Sequence, residues 1–324
     1  MEETRRPPIL VIVGPTAVGK SACAMEAASR FGGEILSVDS MQVYRGLDAA
    51  TSKPSEEERR RVRHHGLDLA DPGDDFSMGD FVRAADAAAA DIAGRGRLPI
   101  LVGGTGLYLR AFLRGMAEAP RRAPGLRARL NRIAARRGVP FLHRMLARLD
   151  AASAARLPER DRQRLVRSLE VRFAAGRPLS ALIQEQPFGP DRYPAVKLGL
   201  TMERRRLYER IDERADGFFA KGLLDETGGL VSRGVPRGAN AYKAIGYREA
   251  LRHLDGELTL EEARAETRQR TRRYAKRQWT WFRKEPGVAW FEIDPDAPRP
   301  FAAPLDHAAA ELTRLGERGT RPWA

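Results

Sequence analysis

The octapeptide Gly14 to Ser21, GPTAVGKS, follows an apolar β-branched run and precedes a helical pattern. In that setting its spacing builds a phosphate cradle. Gly14 and Gly19 let the loop bend so that backbone N–H groups face inward, the helix N-terminus adds a positive dipole end, and Lys20 adds a point charge. Pro15, Thr16, Ala17 and Val18 complete the loop, and the Ser21 hydroxyl can hold Mg2+ against the same phosphates. Such a cradle identifies phosphate but no reaction, because kinases, nucleotide hydrolases and other transferases share it. The stretch Glu34 to Asp39, EILSVD, is the one apolar run ending in a carboxylate that resembles a magnesium-holding strand, and its continuation, DSMQVYR, is rich in groups suited to reading a base. Asp39 would end the second strand, at the sheet edge where ligands collect. A hydrogen-bond acceptor, a metal ligand and a solvated strand end all remain open for it. Gly103 to Tyr108, GGTGLY, is a second glycine turn between strand and helix and brings Thr105 to the same edge. Alone, that turn is common punctuation.

The elements that must position these residues follow from periodicity. Apolar β-branched runs, most followed by helical patterns, predict parallel strands with crossover helices at Ile9 to Val13, Glu34 to Val38, Leu67 to Leu69, Pro99 to Val102 and Val196 to Leu200, with a late edge strand at Val288 to Ile293. Helices are expected at Gly19 to Phe31, Ser77 to Ala93 and Gly106 to Leu113, and long ones at Glu203 to Lys221 and Glu261 to Lys284. Between Pro120 and Tyr193 no strand pattern appears, while Leu126, Leu130, Ile133 and then Leu165, Leu169, Phe173 recur at helical spacing. The fold class is therefore α/β, a P-loop parallel sheet flanked by helices and interrupted by an all-helical domain. Beyond Pro295 the sequence is silent.

A net charge of +14 over 324 residues favours polyanionic partners such as nucleic acid; compositional bias toward Arg explains it equally well. No apolar run approaches a membrane span, and the short N-terminal run before the glycine turn lacks a cleavage pattern, so a strand is expected there and no signal. The single cysteine, Cys23, leaves no internal disulfide framework and fits a reducing cytoplasm.

The ordered blocks GPTAVGKS, SVDSMQVYRGLD (Ser37 to Asp48), LVGGTGLYLRA (Leu101 to Ala111), RDRQRLVRSLEV (Arg160 to Val171), ERIDERAD (Glu209 to Asp216), AIGYRE (Ala244 to Glu249) and YAKRQWTWFR (Tyr274 to Arg283) resemble the tRNA dimethylallyltransferase family, over most of the chain. Two departures are ATSKP at Ala50 to Pro54, where the family carries GTAKP, and HHGLDLADP from His64. The resemblance implies transfer of a dimethylallyl group from dimethylallyl diphosphate to adenosine N6 in a tRNA anticodon stem-loop, with Mg2+; a monomer is expected. It assigns Asp39 to the N6 proton, Thr16 to the bridging oxygen, and Lys20 and Arg214 to the diphosphate. Without it, Arg214 reads as a solvated residue sharing a helical face with Arg206 and Arg210. RNA contacts are expected at Asp39, Ser40, Met41, Gln42 and Thr105; at Gln163, Arg164, Leu165, Val166 and Arg167 in the insertion; at Lys243, Gly246, Tyr247 and Arg248; and at Lys276, Arg277, Gln278 and Arg283. Trp279 and Trp281, two apart on one helix, point to different sides, which favours packing over base stacking.

Overall fold

A computed structural model describes residues 6–317. They form two units, one of residues up to Leu113 together with residues from Asp191 onward, and one of Arg114–Pro190. The first unit is built on a six-stranded parallel sheet in the order β3-β2-β4-β1-β5-β6, with β1 Ile9–Val13, β2 Gly33–Val38, β3 His64–His65, β4 Leu98–Gly103, β5 Ala195–Thr201 and β6 Val288–Glu292. β1 reads ILVIV because a central parallel strand is covered on both faces. Leu10 and Ile12 point into one core with α1 (Lys20–Phe31), α10 (Arg204–Ala220) and α14 (Ala302–Glu317). Ile9, Val11 and Val13 point into the other, with α3 (Met78–Gly94) and α4 (Gly106–Arg114).

The third strand lies three residues earlier than Leu67 to Leu69. Asp68 sits at φ 56, a left-handed conformation no strand residue adopts, and its carboxylate accepts from Lys53 and Arg59. His64 and His65 take the sheet edge in its place. The silent segment after Pro295 holds α14, whose Leu305, Ala308 and Leu312 are buried in the first core; residues 318–324 lie outside the described range.

A third cluster joins Val43, Tyr44 and Leu47 to Phe218 of α10, Leu223 of α11 (Leu223–Ser232) and Tyr247 of α12 (Tyr247–Leu254). It fastens the chain leaving β2. The long α13 (Leu260–Phe282) runs beside α10, and Arg268 and Arg272 pair with Asp216 and Asp212 across the contact.

The second unit is all helix: α5 (Pro124–Arg137), α6 (Val139–Leu149), α7 (Ala151–Arg156), α8 (Arg162–Ala175) and α9 (Leu179–Glu185). Leu130, Leu142, Leu146, Leu165, Val166 and Leu169 make its core. Leu165 and Val166, expected among the RNA contacts, are buried packing residues of that core. Arg167, expected as a phosphate grip, donates instead to the fully buried Glu170 at 3.0 Å and to the Pro120 carbonyl at 2.8 Å. A buried carboxylate requires such partners. Leu165→Ala should cost about 2–5 kcal/mol of stability, read as a lower denaturant midpoint.

Candidate active site

The carboxyl ends of β1, β2 and β4 open into a cavity of about 1160 Å³ within the first unit. The loop Gly14 to Gly19 wraps one side. Gly14 has φ 144, and a Cβ there would stand 2.4 Å from the Leu200 carbonyl oxygen, so no other residue fits between β1 and β5. Ala17 also takes a positive φ, and Arg210 donates from Nε to its carbonyl at 3.0 Å, bracing the turn. Pro15 and Val18 are buried, whereas Thr16, Gly19, Lys20 and the exposed Ser21 line the cavity.

Lys20 Nζ donates to the Pro15 carbonyl at 2.7 Å. Burial holds its pKa down to about 7; Arg214 adds to the depression and Asp39 opposes it. Asp39 sits at the end of β2, where Oδ1 accepts from the backbone N–H of Met41 (2.8 Å) and Gln42 (3.3 Å). Burial raises its pKa; these two bonds, Lys20 and Arg214 pull the other way. Arg214 faces Asp39 from α10, and burial lowers its pKa. Two cations and one carboxylate thus share a wall. The three arginines of α10 divide their work: Arg206 pairs with Asp294 at 2.9 Å, Arg210 braces the loop, and Arg214 reaches the cavity.

Thr105 joins this group from the second glycine turn: its N–H donates to Val38 O and its Oγ1 accepts from Ser40 N at 3.1 Å. Met41, Ser40 and Lys243 line the cavity too. The Gln42 amide receives from Ser37 Oγ (2.7 Å) and donates to the Thr51 and Ser52 carbonyls. It ties β2 to the Ala49–Pro54 loop. The same loop is held from below by Glu226, whose carboxylate accepts from Asp48 N, Ala49 N and the Tyr247 hydroxyl. Tyr247, expected as an RNA contact, is fully buried in this role, and Gly246 is packed against Ala50. Lys53, beside the ATSKP departure, is buried among Tyr44 O, Asp48 and Asp68.

From α13, Tyr274 and Gln278 reach inward, four residues apart on one face. Gln278 is 4% exposed and so is no surface contact. Lys276, Arg277 and Arg283 stay exposed on the same helix, as do Gln163, Arg164, Lys243 and Arg248 elsewhere. Trp279 meets Trp290 edge-on at 4.7 Å, and Trp281 lies under the Arg110 guanidinium, 4.4 Å away. Both tryptophans are packed. Sequence reasoning overlooked Tyr274, Glu226 and the bracing by Arg210; the i, i+4 pair Tyr274 and Gln278 within YAKRQWTWFR was the available signal for the first.

Among the described residues no group of three or more His, Cys, Asp or Glu side chains is arranged to hold a metal. A cation on Ser21 would take its other ligands from phosphate and water, which suits Mg2+. No described helix is long and apolar enough to cross a membrane.

Residues 42–285 match the family model described as IPP transferase, and residues 7–69 that described as isopentenyl transferase. A tRNA dimethylallyltransferase of Geobacter metallireducens is 48% identical over 292 residues, covering 90% of this chain and 94% of the relative. The chain belongs to the tRNA dimethylallyltransferase family. Its relatives include a tRNA dimethylallyltransferase of Symbiobacterium thermophilum, 47% identical, covering 95% of this chain and 94% of that protein. The full-length tRNA isopentenylpyrophosphate transferase of Bacillus halodurans superposes with a TM-score of 0.71 at 39% identity, over 97% of this chain and 99% of that one. A eukaryotic dimethylallyltransferase acting on tRNA gives 0.81 at 25% identity, over 97% and 81%. As a tRNA dimethylallyltransferase family member, the chain is a transferase enzyme.

Proposed function

We propose that this protein moves a dimethylallyl group from dimethylallyl diphosphate to N6 of the adenosine immediately 3′ of the anticodon in tRNA, releasing diphosphate. The observation that carries this reading is the cavity wall on which Asp39 stands beside Lys20 and Arg214, next to a phosphate-type loop. The N6 lone pair forms the new N–C bond as the allylic C–O bond breaks and its electrons leave with diphosphate. Asp39 accepts the N6 proton. Thr16, Lys20, Arg214 and the loop amides stabilise the departing oxygen. Mg2+ on Ser21, when bound, would neutralise further phosphate charge.

The adenosine leaves its stack to enter the cavity beside Thr105 and the turn Asp39 to Met41. Gln163 and Arg164 of the helical insertion, with Lys243, Arg248, Lys276, Arg277 and Arg283, grip the anticodon stem-loop backbone. Replacing Arg277 with Ala should weaken tRNA binding and flatten its salt dependence by about one unit of slope, read from affinities across a salt series. The enzyme works as a monomer in the cytoplasm.

The deciding assay incubates the protein with labelled dimethylallyl diphosphate, Mg2+ and either tRNA or AMP. Label in tRNA is expected. Label in AMP, or none in either, overturns the reading. A second expectation follows from Lys20. With its pKa near 7 in the free protein, the amine is mostly neutral at about pH 8, and incoming diphosphate favours the ammonium. Calorimetry in two buffers of different ionisation enthalpy should register proton uptake at about pH 8 that fades toward about pH 6, where Lys20 is already charged. Lys20→Met should lose that uptake.

A further inference from the structure

We infer that Gln278 is a positioning residue that locks the phosphate loop to the second glycine turn, and so sets where Thr16 stands during transfer; this rests on the function proposed above. Gln278 enters from α13 and ends between the two loops. Its Oε1 accepts from Thr16 N–H at 2.8 Å, and its Nε2 donates to Gly104 O at 3.2 Å. The partners fix the amide's orientation, since Thr16 N–H can only donate and Gly104 O can only accept. Gln278 is 4% exposed, so both bonds are largely shielded from bulk solvent.

Two consequences follow. Thr16 N–H belongs to a side chain and is withdrawn from the amides that face phosphate; what the loop gains is a fixed backbone beneath the Thr16 hydroxyl. Gly104, in turn, leaves room for this amide, because a Cβ there would lie 1.9 Å from Gln278 Nε2 and the amide would have to move. Tyr274 OH supports the same carbonyl, donating to Gly104 O at 3.3 Å. The turn so held carries Thr105, whose Oγ1 receives Ser40 N–H just beyond Asp39. One amide therefore registers the leaving-group side of the cavity against the adenine side. Surface cations of α13 are its neighbours in sequence, but Gln278 itself is buried.

The test is a kinetic cycle on the full chain with tRNA and dimethylallyl diphosphate. Gln278→Ala should lower kcat about tenfold or more, the worth of a buried hydrogen bond lost beside reacting groups, while tRNA Kd stays within about twofold. Gly104→Ala, which drives its Cβ into the amide, should produce a comparable kcat loss. In the Gln278→Ala background the same Gly104→Ala change should cost less than about twofold further, because the amide it displaces is gone. Additive losses in the double variant, or a tRNA Kd raised with kcat intact, would overturn the inference and make Gln278 an RNA contact. If Gln278→Ala does not fold, as judged by circular dichroism, Gln278→Leu and Gly104→Ala carry the cycle. An inactive wild type would instead sink the proposed function and leave this inference aside from blame; an active wild type with an unaltered Gln278→Ala sinks the inference alone.

Discussion

Asp39→Asn is expected to lower kcat for transfer to tRNA by about 10²–10⁴-fold with little change in KM for dimethylallyl diphosphate. The substitution keeps an Oδ1 that can still accept from Met41 N and Gln42 N, so the turn after β2 survives. What disappears is the negative charge that faces Lys20 and Arg214 and that we propose takes the N6 proton. Losing it leaves those two cations less balanced, which should hold diphosphate at least as well as before. Single-turnover rates at saturating substrate, set beside an equilibrium titration with inorganic diphosphate, separate the two effects. Equal loss of binding and turnover would mark Asp39 as a metal ligand or a structural group.

Arg214→Gln should act on the other substrate. The neighbouring Arg210 is engaged with the Ala17 carbonyl, so kcat/KM for dimethylallyl diphosphate is expected to fall about 10²-fold, the scale of one lost donor to a developing oxyanion. Arg214→Lys should recover only part of this, since an ammonium lacks the planar fork that meets two phosphate oxygens at once. The tRNA Kd, measured without diphosphate, should not move. A loss confined to tRNA affinity would place Arg214 in the RNA path.

The sheet and the phosphate loop were legible because both rest on local rules. ILVIV before GPTAVGKS fixes a buried strand, a turn and a helix start within thirteen residues of one another. Asp39 could be placed at the ligand edge from the same logic, but its role could not, because only the approach of Lys20 and Arg214 from other elements defines its surroundings. The expected RNA contacts that prove wholly or partly buried share one cause. Leu165, Val166, Arg167, Tyr247 and Gln278 stand within basic or polar stretches, and helical periodicity alternates exposed with buried positions inside any such stretch. Gln163 and Arg164 are exposed while Leu165 and Val166 are not, one helical step away. Polar side chains that point inward, such as Gln42, Glu226 and Gln278, were invisible for a related reason: their partners are backbone atoms from segments distant in the chain. Composition offers no signal for a carbonyl that needs a donor.

The strand order carries a cost during synthesis. β3-β2-β4-β1 is complete once residue 103 has been made, yet β1, the most apolar strand, keeps an open edge until β5 arrives at Ala195. Through that interval the nascent sheet presents a free row of backbone donors and acceptors on an apolar strand, which invites pairing with another chain. The helical unit of Arg114–Pro190, contiguous in the chain, emerges in the meantime. A chain truncated anywhere between these points would carry a half-sheet with that apolar edge open, so the length of the insertion sets how long the edge waits for its partner.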